Sequence, residues 1–501
     1  MGELTPESDS GWGLDDDPWA GMVDEGGHPF DIEAADVAVA AELAEGATSP
    51  RLFNLPEEFW GARDLFKVVR QQARADGTGP DAVLGAVLAR ASAMISPDLK
   101  FDSGKIGGFN FFANIVAPSG IGKTEAMRSA QRLLLPASHL TDGQGEVDPE
   151  KFRDGWSLGS GEGMAEAYMG MIEKDTGEFH LSGKQKGDPK TKSVKGKVRD
   201  NVFLFLDEGE ALVKMMRERR GATVGQAIRT MWTGMGTGAA NASETTTRHL
   251  SDGTYSLGLL IGWQPEPAQA LISDVGGGTP QRFIWMSGLD PDMPEDPDVR
   301  PEPIRLPICD GHGHPVRGMV HFPREVKRAL RLRLVSKHVG DDEVVDDLNS
   351  HEPLMRCKLA ALLCVLDGRM AVNEDDWRFG GMIWQVSCAV RDRLVQFGRQ
   401  QAERQREAEQ VRHAELAAAG EAARIEVSER VSAYARQIAA RAREAEAAAP
   451  FATLGRSDER RRIKSALRQA WDAGLEYALA RGWVVLVSDG ARIAVGDSSP
   501  T

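Results

Sequence analysis

The sequence predicts an α/β fold built on a mostly parallel sheet, with helices before it, a helical region after it and a small domain at the end. Three observations predict it. Apolar runs of strand length at 109–116, 202–206 and 255–262 alternate with helical stretches. The run at 202–206 is continuous and rich in β-forming residues, the mark of a strand buried on both faces. The first also runs straight into a glycine-rich turn that opens a helix, Ala117-Pro118-Ser119-Gly120-Ile121-Gly122-Lys123-Thr124.

Taken in order, residues 1–50 hold thirteen Asp and Glu and no Lys or Arg, which places −13 of the net −15 in this stretch. A tail over 1–52 so acidic and so poor in large apolar residues is expected to be disordered. Helices over 56–75 and 80–95, joined by a turn at 76–80, make an N-terminal helical unit spanning 53–108. The core, 109–300, takes up strand 109–116, helix 124–135, strand 156–158, helix 162–172 and strand 202–206. Helices 209–219 and 224–235 and strand 255–262 follow, then an apolar stretch at 284–286, while 173–200 shows no periodicity. A β-turn segment and a helical lid fill 301–398. The Ala/Glu/Arg/Gln-rich run 399–449 reads as a solvent-exposed helical connector or helical hairpin, its heptads too poor for a coiled coil. Over 450–501, a helix at 457–480 and a hairpin turning at Asp489-Gly490 suggest a winged-helix-like domain.

With 501 residues, 41% hydrophobic and 27% charged, the composition is that of a soluble globular protein. No apolar run is long enough to cross a bilayer, and no basic segment leads into an apolar one at the N-terminus. A cytoplasmic location without a membrane partner is therefore expected. Cys309, Cys357, Cys364 and Cys388 are too scattered for a disulfide framework, and Cys309 with His312 and His314 lacks a fourth zinc ligand.

The turn at 117–124 fits the Walker A pattern, with Ala117 in place of the first glycine. Ser119, Gly120, Ile121 and Gly122 would let backbone N–H groups approach phosphates at a helix N-terminus. Lys123 would reach the β- and γ-phosphates of ATP, and Thr124 would bind Mg²⁺. A second motif, Val202-Phe203-Leu204-Phe205-Leu206-Asp207-Glu208, ends an apolar strand in two acids. Asp207 is placed to hold the Mg²⁺ and Glu208 to polarise the attacking water. Together the motifs predict a P-loop NTPase core. Gln264, after the strand at 255–262, is a candidate γ-phosphate sensor. Arg282, in Gln281-Arg282-Phe283, is a candidate arginine finger acting across a subunit boundary.

The set "APSGIGKT", "GSGEGM" (159–164), "FLFLDEGE", "LLIGWQPE", "GGGTPQRFIW" and "AVNEDDW" resembles the P-loop ATPases of phage, plasmid and integrated-element replication modules. These are of the primase-helicase (RepA/DnaB-like helicase) type, and the likeness covers roughly residues 53–397. The resemblance implies a RecA/AAA-like core and a hexameric ring moving on single-stranded DNA. It also implies primase-polymerase or other replication proteins as partners. No primase acid constellation stands out in 1–108, so priming is expected on a separate chain.

Two basic segments are the candidate nucleic-acid contacts. Lys184, Lys186, Lys190, Lys192, Lys195, Lys197 and Arg199 face a single acid, Asp188, in what reads as a pore loop gripping phosphates. Arg460, Arg461, Arg462 and Lys464 precede the wing and would contact duplex DNA. An ATP-driven helicase or translocase is the first functional expectation. An ATPase switch that loads or remodels a protein partner shares every nucleotide residue with it.

Overall fold

The computed structural model describes residues 53–179, 189–217, 222–239, 248–339 and 347–500. The acidic tail, Lys184 and Lys186 lie outside the described residues. The chain divides into two units, one ending at Gly398 and one beginning at Arg399.

The first unit opens with helices α1 (Glu57–Ala62), α2 (Asp64–Ala75) and α3 (Pro80–Met94), then strands β1 (Leu99–Asp102), β2 (Ile106–Gly107) and β3 (Phe111–Val116). Helix α4 (Lys123–Leu133), strands β4 (Leu134–Leu135) and β5 (Phe152–Ser157) and the short helix α5 (Gly161–Glu166) come next. Strands β6 (Met169–Phe179), β7 (Pro189–Lys197) and β8 (Asn201–Leu206) lead to helices α6 (Gly209–Arg217) and α7 (Ala222–Trp232). Strands β9 (Thr237–Ala239), β10 (Arg248–Leu250) and β11 (Ser256–Trp263), helix α8 (Pro265–Ile272) and strand β12 (Ile284–Ser287) follow. Strands β13 (Ile304–Arg305) and β14 (Gly318–His321), helices α9 (Arg324–Val339) and α10 (Glu352–Leu366), and the first part of α11 (Glu374–Ala448) close the unit.

Five strands form one all-parallel sheet in the order β12-β3-β11-β8-β5. Strands β3, β8 and β11 are buried along their whole length, which is why they read as mostly apolar runs, interrupted only by Asn114 and begun by Asn201 and Ser256. Helix α3 is buried on every side and packs on this sheet, as a helix apolar all round must. Among its polar side chains Arg90, 2% exposed, meets Asp154 of β5 at 2.8 Å. Asn201 at the start of β8 donates to the carbonyls of Ala93 and Ile95 at 2.6 and 2.9 Å, tying the sheet to the end of α3.

Several local expectations are corrected. The helix expected over 56–75 breaks at Arg63, which is extended (φ −137°) and ion-pairs with Asp367 and Asp376 at 3.0 and 2.8 Å. The helix expected over 162–172 stops at Glu166, and 169–179 pairs instead with 189–197 as the antiparallel ribbon β6–β7. That ribbon replaces the expected loop. Most of its residues are exposed, with Met169 and Val194 buried and Lys190, Lys195, Gly196 and Lys197 half-buried, so the sequence carries no period of two. Among the described residues, no helix is long and apolar enough to cross a membrane.

In the second unit, α11 continues without a break at Gly420, which excludes the helical hairpin, and residues 402–430 are exposed. Ala435, Ile438, Ala439 and Ala442 of the same helix enter a small core with Trp471, Leu475, Ala478, Val484 and Ile493. The rest is β15 (Leu454–Gly455), α12 (Arg456–Arg461), α13 (Arg468–Ala480), β16 (Val484–Val487) and β17 (Arg492–Val495). The single helix expected over 457–480 is interrupted, because Lys464 is extended and Ser465–Leu467 form a 3₁₀ turn. Strands β16 and β17 pair as the expected hairpin, and β15 adds to its edge in the order β15-β17-β16.

Candidate functional site

Parallel pairing brings three strand ends to one edge of the sheet. Trp263 of β11 is in register with Val116 of β3, and Ile261 with Leu206 of β8. The residues that follow each strand therefore converge: Ala117–Thr124, Asp207-Glu208 and Gln264. Ligands of open parallel sheets bind at such carboxyl edges.

The turn after β3 is shaped by two glycines at positive φ, Gly120 at 82° and Gly122 at 46°. Gly122 caps α4, so the orphan N–H groups and the positive end of that helix face the turn. Lys123 Nζ lies 3.3 and 3.2 Å from the carbonyls of Ala117 and Pro118. Burial pulls its ammonium below the ordinary lysine range, while Asp207 and Glu208 hold it up. The Thr124 hydroxyl donates to Asp207 Oδ1 at 2.6 Å. A cavity of about 510 Å³ takes in the turn, Lys123, Thr124, Asp207, Glu208 and Gln264.

These groups suit a hard cation held in part by a ligand. One hydroxyl and one carboxylate in contact would supply two oxygens to such a cation, its remaining ligands coming from a bound anion and water. Among the described residues, no group of three or more His, Cys, Asp or Glu side chains is placed to hold an ion by itself.

Two supports of the site were not legible as such. Thr78, in the turn between α2 and α3, donates to the Gly122 carbonyl at 3.3 Å and packs against the glycine turn. Beside it Asp76 accepts from Ser129, Arg132 and Arg300 at 2.7, 2.9 and 2.6 Å, anchoring that turn to α4. Trp263 is buried between the motifs and donates to Asn114 of β3 at 2.9 Å. A Cβ on Gly209, the residue after the two acids, would stand 2.2 Å from the Trp263 ring.

The other predicted residues stand apart. Arg282 does not line the cavity; it donates to the Gly278 carbonyl, and its guanidinium lies 5.7 Å from the Trp232 ring centre. Burial, helped by Arg229, pulls it down to about 10. Arg199 is corrected from a phosphate contact to a structural residue. It is 6% exposed and donates to the carbonyls of Pro149, Ala167 and Met169 at 3.1, 2.7 and 3.1 Å. Three of the β7 lysines are paired, Lys190 with Glu178 at 3.2 Å, Lys195 with Glu166 at 2.6 Å and Lys197 with Asp200 at 2.5 Å. Lys192 is exposed and also partnered. Arg460, Arg461 and Arg462 pair with Asp472, Asp458 and Glu459 at 2.7, 2.8 and 3.0 Å, while Lys464 is exposed. No protein-family model matches the chain, and no curated protein matches it significantly.

Proposed function

We propose that the chain is a P-loop ATPase that couples Mg-ATP hydrolysis to movement on single-stranded DNA, in replication of a phage or mobile element. The observation that carries the ATPase is the 2.6 Å contact between Thr124 and Asp207, with Lys123, Glu208 and Gln264 in one cavity. The turn's N–H groups and Lys123 bind the phosphates, and Thr124 and Asp207 hold the cation. That cation neutralises charge on the phosphate oxygens. The Glu208 carboxylate takes a proton from the attacking water, and Gln264 contacts the γ-phosphate edge.

The DNA and ring parts of this reading rest on the resemblance described above. A hexameric ring gives Arg282 a place, because an arginine outside its own chain's cavity can act at a neighbour's. The second unit, a helix, strand, two helices and a hairpin around one core, is winged-helix-like.

A specific observation favours a second reading for that unit. Its arginine run is neutralised by ion pairs, and α13 carries Asp472 and Glu476, so protein docking suits it better than duplex phosphates. The test is the ATPase rate of the full chain with and without single-stranded DNA at low salt, beside Lys123→Ala. Stimulation in wild type and loss of turnover in the variant are expected. A rate that ignores DNA would reject the motor and leave the partner-remodelling switch.

A further inference from the structure

Helix α9 carries six Lys and Arg against one acid, Glu325. A cavity of about 410 Å³ opens between one stripe of this helix, the β1–β2 turn and the start of α10. Lys327, Leu330, Arg331, Leu334 and Lys337 recur at helical spacing along that stripe, a span of about 15 Å at the α-helical rise. Leu330, Leu334, Pro353 and Leu354 give the cavity apolar walls.

Its cations divide into two sets. Lys327 is held by Asp102 at 2.8 Å and Arg333 by Glu352 at 2.9 Å. Lys358 is buried at the floor, donating to the carbonyls of Gly108, Asn110 and Trp232 at 2.8, 2.8 and 3.0 Å. Lys105, Arg331 and Lys337 are exposed at the mouth and have no ion-pair partner among the described residues. Positive charge without an ionic partner among the described residues, set beside apolar walls, fits an anionic chain with flat apolar groups. The place also matters: the floor touches Gly108 and Asn110, which lead into β3, the strand that ends in the glycine turn at the other edge of the sheet.

We propose that this cavity is a single-stranded nucleic-acid site, with Lys105, Arg331 and Lys337 on the phosphates and the Leu330–Leu334 wall against the bases. The proposal rests on the motor reading above and gives it a contact surface that the β7 lysines, already paired, do not supply.

The test uses the full chain and a fluorescein-labelled oligo-dT, followed by anisotropy between 50 and 200 mM salt. Arg331→Ser/Lys337→Ser is compared with Arg324→Ser/Arg328→Ser, an equal loss of charge on the same helix outside the cavity. Each single-strand phosphate contact adds roughly 0.7 to the salt slope. The cavity variant should therefore lose about 1.4 of slope, so that wild type gives up about sevenfold more affinity than the variant over this range. The control should lose less than half of that, and both variants should melt with wild type. Equal slopes for the two variants, or a cavity variant identical to wild type, would overturn the site while DNA-stimulated ATPase kept the motor. A wild type that neither binds oligo-dT nor is stimulated by it would sink both. Binding to phosphatidylglycerol vesicles but not to oligo-dT, through the same two cations, would reassign the cavity to a membrane surface.

Discussion

Gly122→Ala puts the shape of the glycine turn under a measurable load. Alanine at this position must keep φ at 46°, in the left-handed region, which costs roughly 1–2 kcal/mol for a residue with a Cβ. The added Cβ would also lie 2.9 Å from Thr78 Oγ1 and 3.1 Å from Thr78 Cβ. Turning Thr78 aside means an off-rotamer side chain, about 0.5–1.5 kcal/mol. The two terms together come to about 1.5–3.5 kcal/mol. If the turn holds its shape, the fold loses that free energy and melts earlier. If the turn relaxes, ATP affinity falls instead by about 10- to 300-fold. Titration with a fluorescent ATP analogue and a thermal melt read the two channels on the same sample. Thr78→Ala added to Gly122→Ala should restore about fivefold of the loss, because it removes the closer contact and leaves the backbone strain. Wild-type affinity together with a wild-type melt would refute the reasoning. Full rescue by Thr78→Ala would refute its backbone half.

Two further outcomes follow from groups away from the turn. Asp81 is buried in the first turn of α3, accepting from Asn54 Nδ2 at 2.6 Å, and burial pushes its carboxyl up to about 8. The unfolded value lies near 3.9, so the folded state holds the extra proton between about pH 4 and 8. Its contribution is complete below pH 4 and is lost as pH rises through about 8. Asp81→Asn has no such proton to lose, so its melting temperature should gain on wild type from pH 5 to pH 8, and a constant difference across that range would contradict the burial account. Replacing Arg460, Arg461 and Arg462 with Ser should change the salt slope of duplex binding by less than one contact, because each already has an acidic partner. A loss of two or more contacts in a filter-binding titration would return the arginines to the DNA.

The parts of the fold that could be read from the sequence are those where one physical demand dominates. Strands β3, β8 and β11 are buried on both faces, so their side chains are apolar apart from Asn114, Asn201 and Ser256, and the run announces itself. Asp207 and Glu208 stood out because two acids directly after such a run serve no packing purpose. The ribbon β6–β7 hid for the opposite reason: mostly exposed, it imposes no pattern, and its pairing comes from residues ten and more positions away. Arg199 looked like one more cation in a basic loop, yet three carbonyls from distant segments enclose it. Thr78 looked like an ordinary turn residue, since nothing local shows that the turn at 76–80 lies against the one at 117–122. Arg63 broke an otherwise good helix to reach acids 304 and 313 residues further on, a contact no local propensity encodes.

The packing of Trp263 has a consequence for how the sequence can drift. Its ring fills the space that any side chain at 209 would need, and its indole N–H is satisfied only by Asn114. A larger residue at 209 demands a smaller one at 263, and losing the indole leaves the Asn114 oxygen without its donor in the core. Positions 114, 209 and 263 are thus one unit of inheritance, and changes among them should be strongly non-additive. Such a unit lies between the strand that presents Lys123 and the one that presents Asp207 and Glu208. Variation in this chain should accordingly gather on the ribbon and the exposed stretch of α11, where most side chains face solvent rather than a packed neighbour.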